Sequence, residues 1–178
     1  MHDWRDKLVK LALAWEQAFG NAPHITAAVS ELDAARLVGC SIDDYAKCMR
    51  GMTTVRRGYD FEFNGQRYQV KANRPSAKPG SFVTLVPKAK NYDWDFLVWI
   101  LYYTDYQIAE AWLWEAAPYR QAFEFEKRLS PAHYQRGTRL KWCSKSADYT
   151  WRSGGQTKNG PFPTVLNSPP TDLPFEVK

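Results

Sequence analysis

YDFEFNGQRYQVKAN, residues Tyr59–Asn73, places an Asn64-Gly65 pair between two runs that alternate apolar and polar side chains. Asn-Gly is the strongest short-range signal for a two-residue hairpin, because both turn residues tolerate positive φ. Such a turn fixes the register. Phe63 faces Gln66, Glu62 faces Arg67, Asp60 faces Gln69 and Gly58 faces Lys71. Directly opposed residues share a face, so Asp60, Glu62, Arg67, Gln69 and Lys71 are expected on one side. Tyr59, Phe61, Phe63, Tyr68, Val70 and Ala72 are expected on the other, which would meet a core. Many hairpins with one polar face are only half-solvated sheets. Here, however, a carboxylate, an amide oxygen and an amine within a few ångströms suit a hard divalent cation with a water beside it.

The 178-residue chain suits one domain, and its 44% hydrophobic content can bury a core without staples. No apolar run reaches the ~18 residues that cross a bilayer, and MHDWRDKLVK lacks the apolar block of a signal peptide. A soluble, cytoplasmic protein is expected. Cys40, Cys48 and Cys143 contain no Cys-x-x-Cys, and His2, His24 and His133 have no metal-ligand spacing, so zinc is not expected. Eight Trp and ten Tyr exceed what a core of this size needs.

The net charge of +5 conceals an asymmetry. Lys47, Arg50, Arg56, Arg57, Arg67, Lys71, Arg74, Lys78, Lys88 and Lys90 face only two acids in that span, Asp60 and Glu62. Positive charge concentrated around a candidate cation site points to a phosphate-rich partner. A solvated, solubility-promoting surface is the plainer alternative.

Along the chain, Asp3 can cap a helix over Trp4 to Phe19 in which Trp4, Leu8, Leu11, Trp15 and Phe19 recur at helical spacing before Gly20. A second helix is expected from about Ile25 to Val38, where Glu31 has Ala27, Ala28, Ala34 and Ala35 at i±3 and i±4; such small neighbours would let it approach the sheet. Ser41 and Asp44 suggest a capping box for a short third helix. After the hairpin come a loop over 74–80, a short strand over Phe82 to Val86, a buried central strand over Asp95 to Tyr103, its partner over Gln107 to Trp114, a helix over Pro118 to Leu129, and a last strand over Thr138 to Cys143. Residues 144–178, rich in Gly, Pro, Ser and Asn, form a C-terminal extension expected to pack on the domain (residues 1–143) or on a neighbouring subunit.

This order, with Asp60 on the first hairpin strand and Gln69-Val70-Lys71 on the second, resembles the PD-(D/E)XK restriction-endonuclease-like superfamily. The phrases AAVSELDAARLVG, GYDFEF, QRYQVKAN and WDFLVWILYYTDYQIAEAWLW are similar to small bacterial and phage members in which Gln replaces the acidic residue of the motif. The likeness covers roughly Ile25 to Leu129, extending to about Trp142. It implies an α/β (α+β) fold of order αβββαβ, a mixed central sheet flanked by helices, with an extra N-terminal helix and an extended tail. It also implies that Asp60, Gln69, Lys71 and Glu31 are catalytic, that Asp60, Gln69, the Val70 carbonyl and Glu31 hold Mg²⁺ or Mn²⁺, and that the substrate is DNA. Arg56, Arg57, Arg67, Arg74 and Lys78 are the expected phosphate contacts, and a homodimer would cut both strands. Glu62 is expected to pair with Arg67 opposite it rather than hold a second metal. The alternatives are a catalytically silent nucleic-acid-binding or assembly subunit and an RNA-directed nuclease.

Overall fold

The computed structural model describes residues 4–50 and 58–141. It is a mixed α/β protein: α1 (Trp4–Phe19), α2 (Thr26–Leu37), α3 (Ile42–Arg50), β1 (Phe61–Phe63), β2 (Gln66–Asn73), β3 (Phe96–Tyr102), β4 (Ile108–Glu115), α4 (Ala116–Phe123), α5 (Pro131–Tyr134) and β5 (Thr138–Arg139). The five strands lie side by side in chain order, antiparallel except for the parallel pair β2–β3. Asp3, Cys143 and residues 144–178 lie outside the described residues.

The hairpin has the expected register, with Phe61 opposite Tyr68, Glu62 opposite Arg67 and Phe63 opposite Gln66. Asn64 and Gly65 adopt φ of 52° and 72°, as the two-residue turn requires. Beyond Phe61 the strands part, and their last main-chain bond is Asp60 N–H to the Tyr68 carbonyl, 2.8 Å.

β3 is the buried centre of the sheet, as its continuous apolar run leads one to expect: Leu97 through Tyr102 are at most 1% exposed. Val98, Ile100 and Tyr102 face α1, α2 and α3 together with Phe61, Val70 and Val29. Leu97, Trp99 and Leu101 face the other way, against Trp94, Trp114, Tyr119, Phe123 and Tyr134. Tyr59 packs in this second layer, not with Phe61, because the chain has left the β1 ladder at that point.

Two expected elements are smaller. Phe82 to Val86 is no strand; Val86 alone bridges Leu129, with Pro87 following. The helix expected over Pro118 to Leu129 is the shorter α4, and Phe125, placed on its apolar side by periodicity, is 92% exposed. Leu129 is buried by the Val86 bridge instead.

α1 has the expected bounds, closed by Gly20 at φ 73° whose N–H reaches the Glu16 carbonyl at 2.8 Å. Its orientation is the surprise, since an apolar stripe on a helix ordinarily faces inward. Here Val9, Ala12 and Leu13 face the core, while Trp4, Leu8, Leu11, Trp15 and Phe19 are exposed. Polar groups fix the helix. Arg5 donates to Asp33 on α2 (Nε to Oδ1, 2.8 Å) and to the Tyr106 carbonyl (2.7 Å). Asp33 is fully buried and also accepts the Tyr102 hydroxyl at 2.8 Å. Burial alone would lower the Arg5 guanidinium, but Asp33 carries it above its usual range, while burial and Asp33 push the Tyr102 phenol up. Near the other end of α1, Glu16 binds Arg74 at 2.6 Å, and that hydrogen bond draws the Glu16 carboxyl below its ordinary range.

Candidate functional site

Asp60 stands where β1 peels away from β2, and its side chain replaces the missing strand partner. Oδ2 accepts the Val70 N–H at 2.5 Å and also a hydrogen bond from the Gln69 side-chain amide. The same Gln69 Nε2 lies 3.4 Å from the Val70 carbonyl. Two oxygens, one charged and one a main-chain carbonyl, therefore converge on a single NH₂ group. Gln69 is 7% exposed, so this cluster is largely shielded from water. The contact of Asp60 with Gln69 follows from the hairpin register, in which the two positions sum to the same constant as the observed pairs.

Lys71 is half-buried on the same face, beside Trp99 of β3 in the parallel register. It has no hydrogen-bond or ion-pair partner among the described residues. Two residues on, Asn73 accepts the Trp99 indole N–H at 2.9 Å and donates to the Leu85 carbonyl at 3.2 Å, tying the 74–95 connection to the end of β2.

Glu31 is carried by α2, in a layer on one side of the sheet. Its helix packs on the Tyr68, Val70 and Ala72 side of β2, and strand alternation turns Gln69 and Lys71 to the opposite side. Glu31 is half-buried and accepts from the Tyr45 hydroxyl at 3.5 Å; the Tyr45 ring packs edge-on against Phe61, 6.0 Å away.

The basic block is less free than its sequence suggests. Arg67 pairs with Asp95, not with Glu62: its main-chain N–H and its guanidinium both bind the Asp95 carboxylate (2.8 and 3.3 Å), and Asp95 N–H returns a bond to the Arg67 carbonyl at 2.9 Å. That main-chain hydrogen bond, then the guanidinium, holds the Asp95 carboxyl below its usual range. Arg74, expected to meet phosphate, is 6% exposed along its side chain; it binds Glu16, donates to the Thr104 carbonyl and lies 4.6 Å over the Tyr106 ring. Lys47 pairs with Asp44 at 3.4 Å, and Lys88 donates to the Glu124 and Glu126 carbonyls (3.0 and 2.8 Å). Arg50, Lys78 and Lys90 are exposed. Arg56 and Arg57 lie outside the described residues.

No group of three or more His, Cys, Asp or Glu side chains among the described residues is placed to hold a metal. The expected donor set does not need one, since it combines acids with an amide and a carbonyl. Asp60 Oδ2 and the Val70 carbonyl both lie against the Gln69 NH₂, and Gln69 would offer a cation its oxygen beside them only with the amide turned over. A depression of about 660 Å³ lies elsewhere, between the end of α1 and the 74–80 loop, lined by Glu16, His24, Thr26, Arg74, Lys78 and Tyr106. Among the described residues no helix is long and apolar enough to cross a membrane.

No family model matches the chain, and no curated protein matches it.

Proposed function

We propose that this chain is a Mg²⁺-dependent endonuclease that hydrolyses phosphodiester bonds of DNA on a restriction-endonuclease-like core, in restriction, repair or phage defence. The observation that carries the reading is the convergence of Asp60 Oδ2 and the Val70 carbonyl on the Gln69 amide, with Lys71 one pleat further along β2. Mg²⁺, or Mn²⁺ in its stead, would supply charge neutralisation at the scissile phosphate and a lowered pKa for bound water. The chain's own part is to hold and orient. Val70 is held in the β2–β3 pairing, Asp60 by its N–H on the Tyr68 carbonyl and its Oδ2 on the Val70 N–H, and Gln69 Oε1 faces them when the amide reverses. Lys71 Nζ donates to the attacking water or to a phosphate oxygen, a point charge of the kind that contributes on the order of 10²–10³ in rate. Glu31, carried on α2, is the further carboxylate that the resemblance implies for this set.

Incubation with plasmid DNA in Mg²⁺, Mn²⁺ or EDTA tests the reading. Nicking or linearisation with either ion and none in EDTA is expected. A stronger cut of matched RNA would reassign the substrate. One observation favours a second reading, a silent nucleic-acid-binding subunit: as it stands, the Gln69 amide satisfies Asp60 and Val70 without any ion. Tight binding with no cleavage under either ion would select it.

Gln69→Glu separates the two. Removing the bridging NH₂ leaves carboxylates facing each other and the Val70 carbonyl, so the metal-free variant is expected to melt below wild type. Mg²⁺ should then restore it, with a gain of about 2–3 kcal/mol at an ion concentration ~100-fold over Kd. Thermal melts with and without millimolar Mg²⁺ measure this, and a variant indifferent to Mg²⁺ would remove the metal from the proposal.

The free part of the basic block makes its own prediction. Lys78→Gln with Lys90→Gln should weaken DNA binding for all sequences and lower the slope of log K against log salt by about one to two. Binding titrations over a salt series give the slope. No change would mean these lysines only keep the surface wet.

A further inference from the structure

We propose that α1 pairs antiparallel with α1 of a second copy of this chain. Leu8, Leu11, Trp15 and Phe19 are 37%, 68%, 50% and 63% exposed, and Trp4, with Lys7 over its ring at 4.7 Å, continues the stripe at 73%. Trp15 and Phe19 already pack on each other, with ring centroids 4.5 Å apart. Trp4, Leu8, Leu11, Trp15 and Ala18 follow the 4-3-4-3 spacing of a coiled-coil seam, which selects another helix because each knob fills a hole between four residues of a facing helix. Ala14 and Ala18, exposed at the border of the stripe, leave room for a partner's indole rings.

At ~150–250 Å² per large side chain, the exposed parts of the five residues sum to roughly 600 Å² per copy. That is at the upper end of the largest patch a monomer ordinarily shows, and doubled it reaches about 1,200 Å², the lower bound of a stable interface. Charge sets the direction. The first half of α1 carries Arg5, Lys7 and Lys10 against Asp6, whereas the second half carries only Glu16. An antiparallel pair with the two stripes overlapped brings Lys7 beside the partner's last turn, where the helix dipole is negative; a parallel pair sets the two basic first halves side by side. The pairing stands independently of any cleavage activity.

Sedimentation equilibrium of the full chain from about 1 to 100 μM is the test. A dimer is expected, and Leu8→Asp with Leu11→Asp should weaken it by roughly 100-fold or more, as loss of two central anchors does. Because Leu11 is 68% exposed and Leu8 37% even in the single copy, the variant should keep its far-ultraviolet circular dichroism, and its melting temperature should no longer depend on protein concentration. Lys7→Glu should weaken an antiparallel dimer and strengthen a parallel one, so strengthening overturns the stated orientation. The proposal fails if wild type is monomeric throughout, as it would be with residues 142–178 covering the stripe. It also fails if the dimer survives the double substitution, or if the monomer sediments with phosphatidylglycerol vesicles and the double variant does not.

Discussion

Asp60→Asn is expected to lower Mg²⁺-dependent cleavage by about 100- to 1,000-fold while the protein stays folded and binds DNA. Asn is the informative replacement because Asp60 has two tasks. Its carboxylate charge is what a cation would need, and its Oδ2 also holds the Val70 N–H where the strands part. An Asn carbonyl keeps the second task and loses the first. Asp60→Ala would remove both and leave the Val70 N–H unmatched at about 1–3 kcal/mol, so lost activity in that variant would not isolate the charge. Initial rates on supercoiled plasmid, read beside melting curves, separate the effects. Undiminished cleavage by a folded Asp60→Asn protein would remove Asp60 from the site.

The largest effect on stability is expected at Asp33. Asp33→Asn leaves the Arg5 guanidinium, 10% exposed, with only the more exposed Asp6 (3.2 Å) as counter-charge, and weakens the acceptor of the Tyr102 hydroxyl. Breaking one side of a buried ion pair costs ~3–5 kcal/mol. For a chain of this size that corresponds to a fall in melting temperature of roughly 10 °C. Beside Asp33→Asn, urea midpoints of Asp33→Leu, Arg5→Met and the combined Arg5→Met/Asp33→Leu variant give the coupling. The combined variant should recover much of the loss, because two apolar side chains do not have to be desolvated as charges. A single-site loss below about 1 kcal/mol would show that apolar contacts alone hold α1 to α2.

What the sequence disclosed and what it concealed divides along the distance between partners. The hairpin register was legible because Asn64-Gly65 sets it with no help from the rest of the molecule, and with it came the meeting of Asp60 and Gln69. The bounds of α1 and the burial of β3 were equally local, written in spacing, in Gly20 and in an uninterrupted apolar run. The partner of Arg67 was not legible. Glu62 opposes it across the hairpin, but Asp95 comes from the parallel neighbour and binds it through main chain and side chain together. Arg74 reads as a surface base until Glu16, 58 positions away, and the Tyr106 ring close over it. The outward turn of the α1 stripe was hidden for the same reason. It is set by Arg5 and Glu16 pairing with residues on other elements, whereas periodicity reports only that a stripe exists. Which end of the Gln69 amide faces Asp60 depends on hydrogen bonds that no pattern of residue types records.

The strand order has a consequence for how the molecule tolerates change. β1–β2 closes through two residues and β3–β4 through five, so each pair is a unit of low contact order. Within the sheet the parallel β2–β3 seam joins them, across a 22-residue connection whose closure must precede its reward. The residues proposed for chemistry sit in the first hairpin, whereas much of the aromatic core sits with the second. Substitutions that repack Trp99, Trp114 or Tyr134 therefore draw on global stability without altering the register of Asp60 against Gln69. Changes in the Asn64-Gly65 turn would shift that register while leaving the aromatic layer in place. Stability and chemistry can thus vary in separate halves of one sheet, with the β2–β3 seam as the place where a change in either half reaches the other.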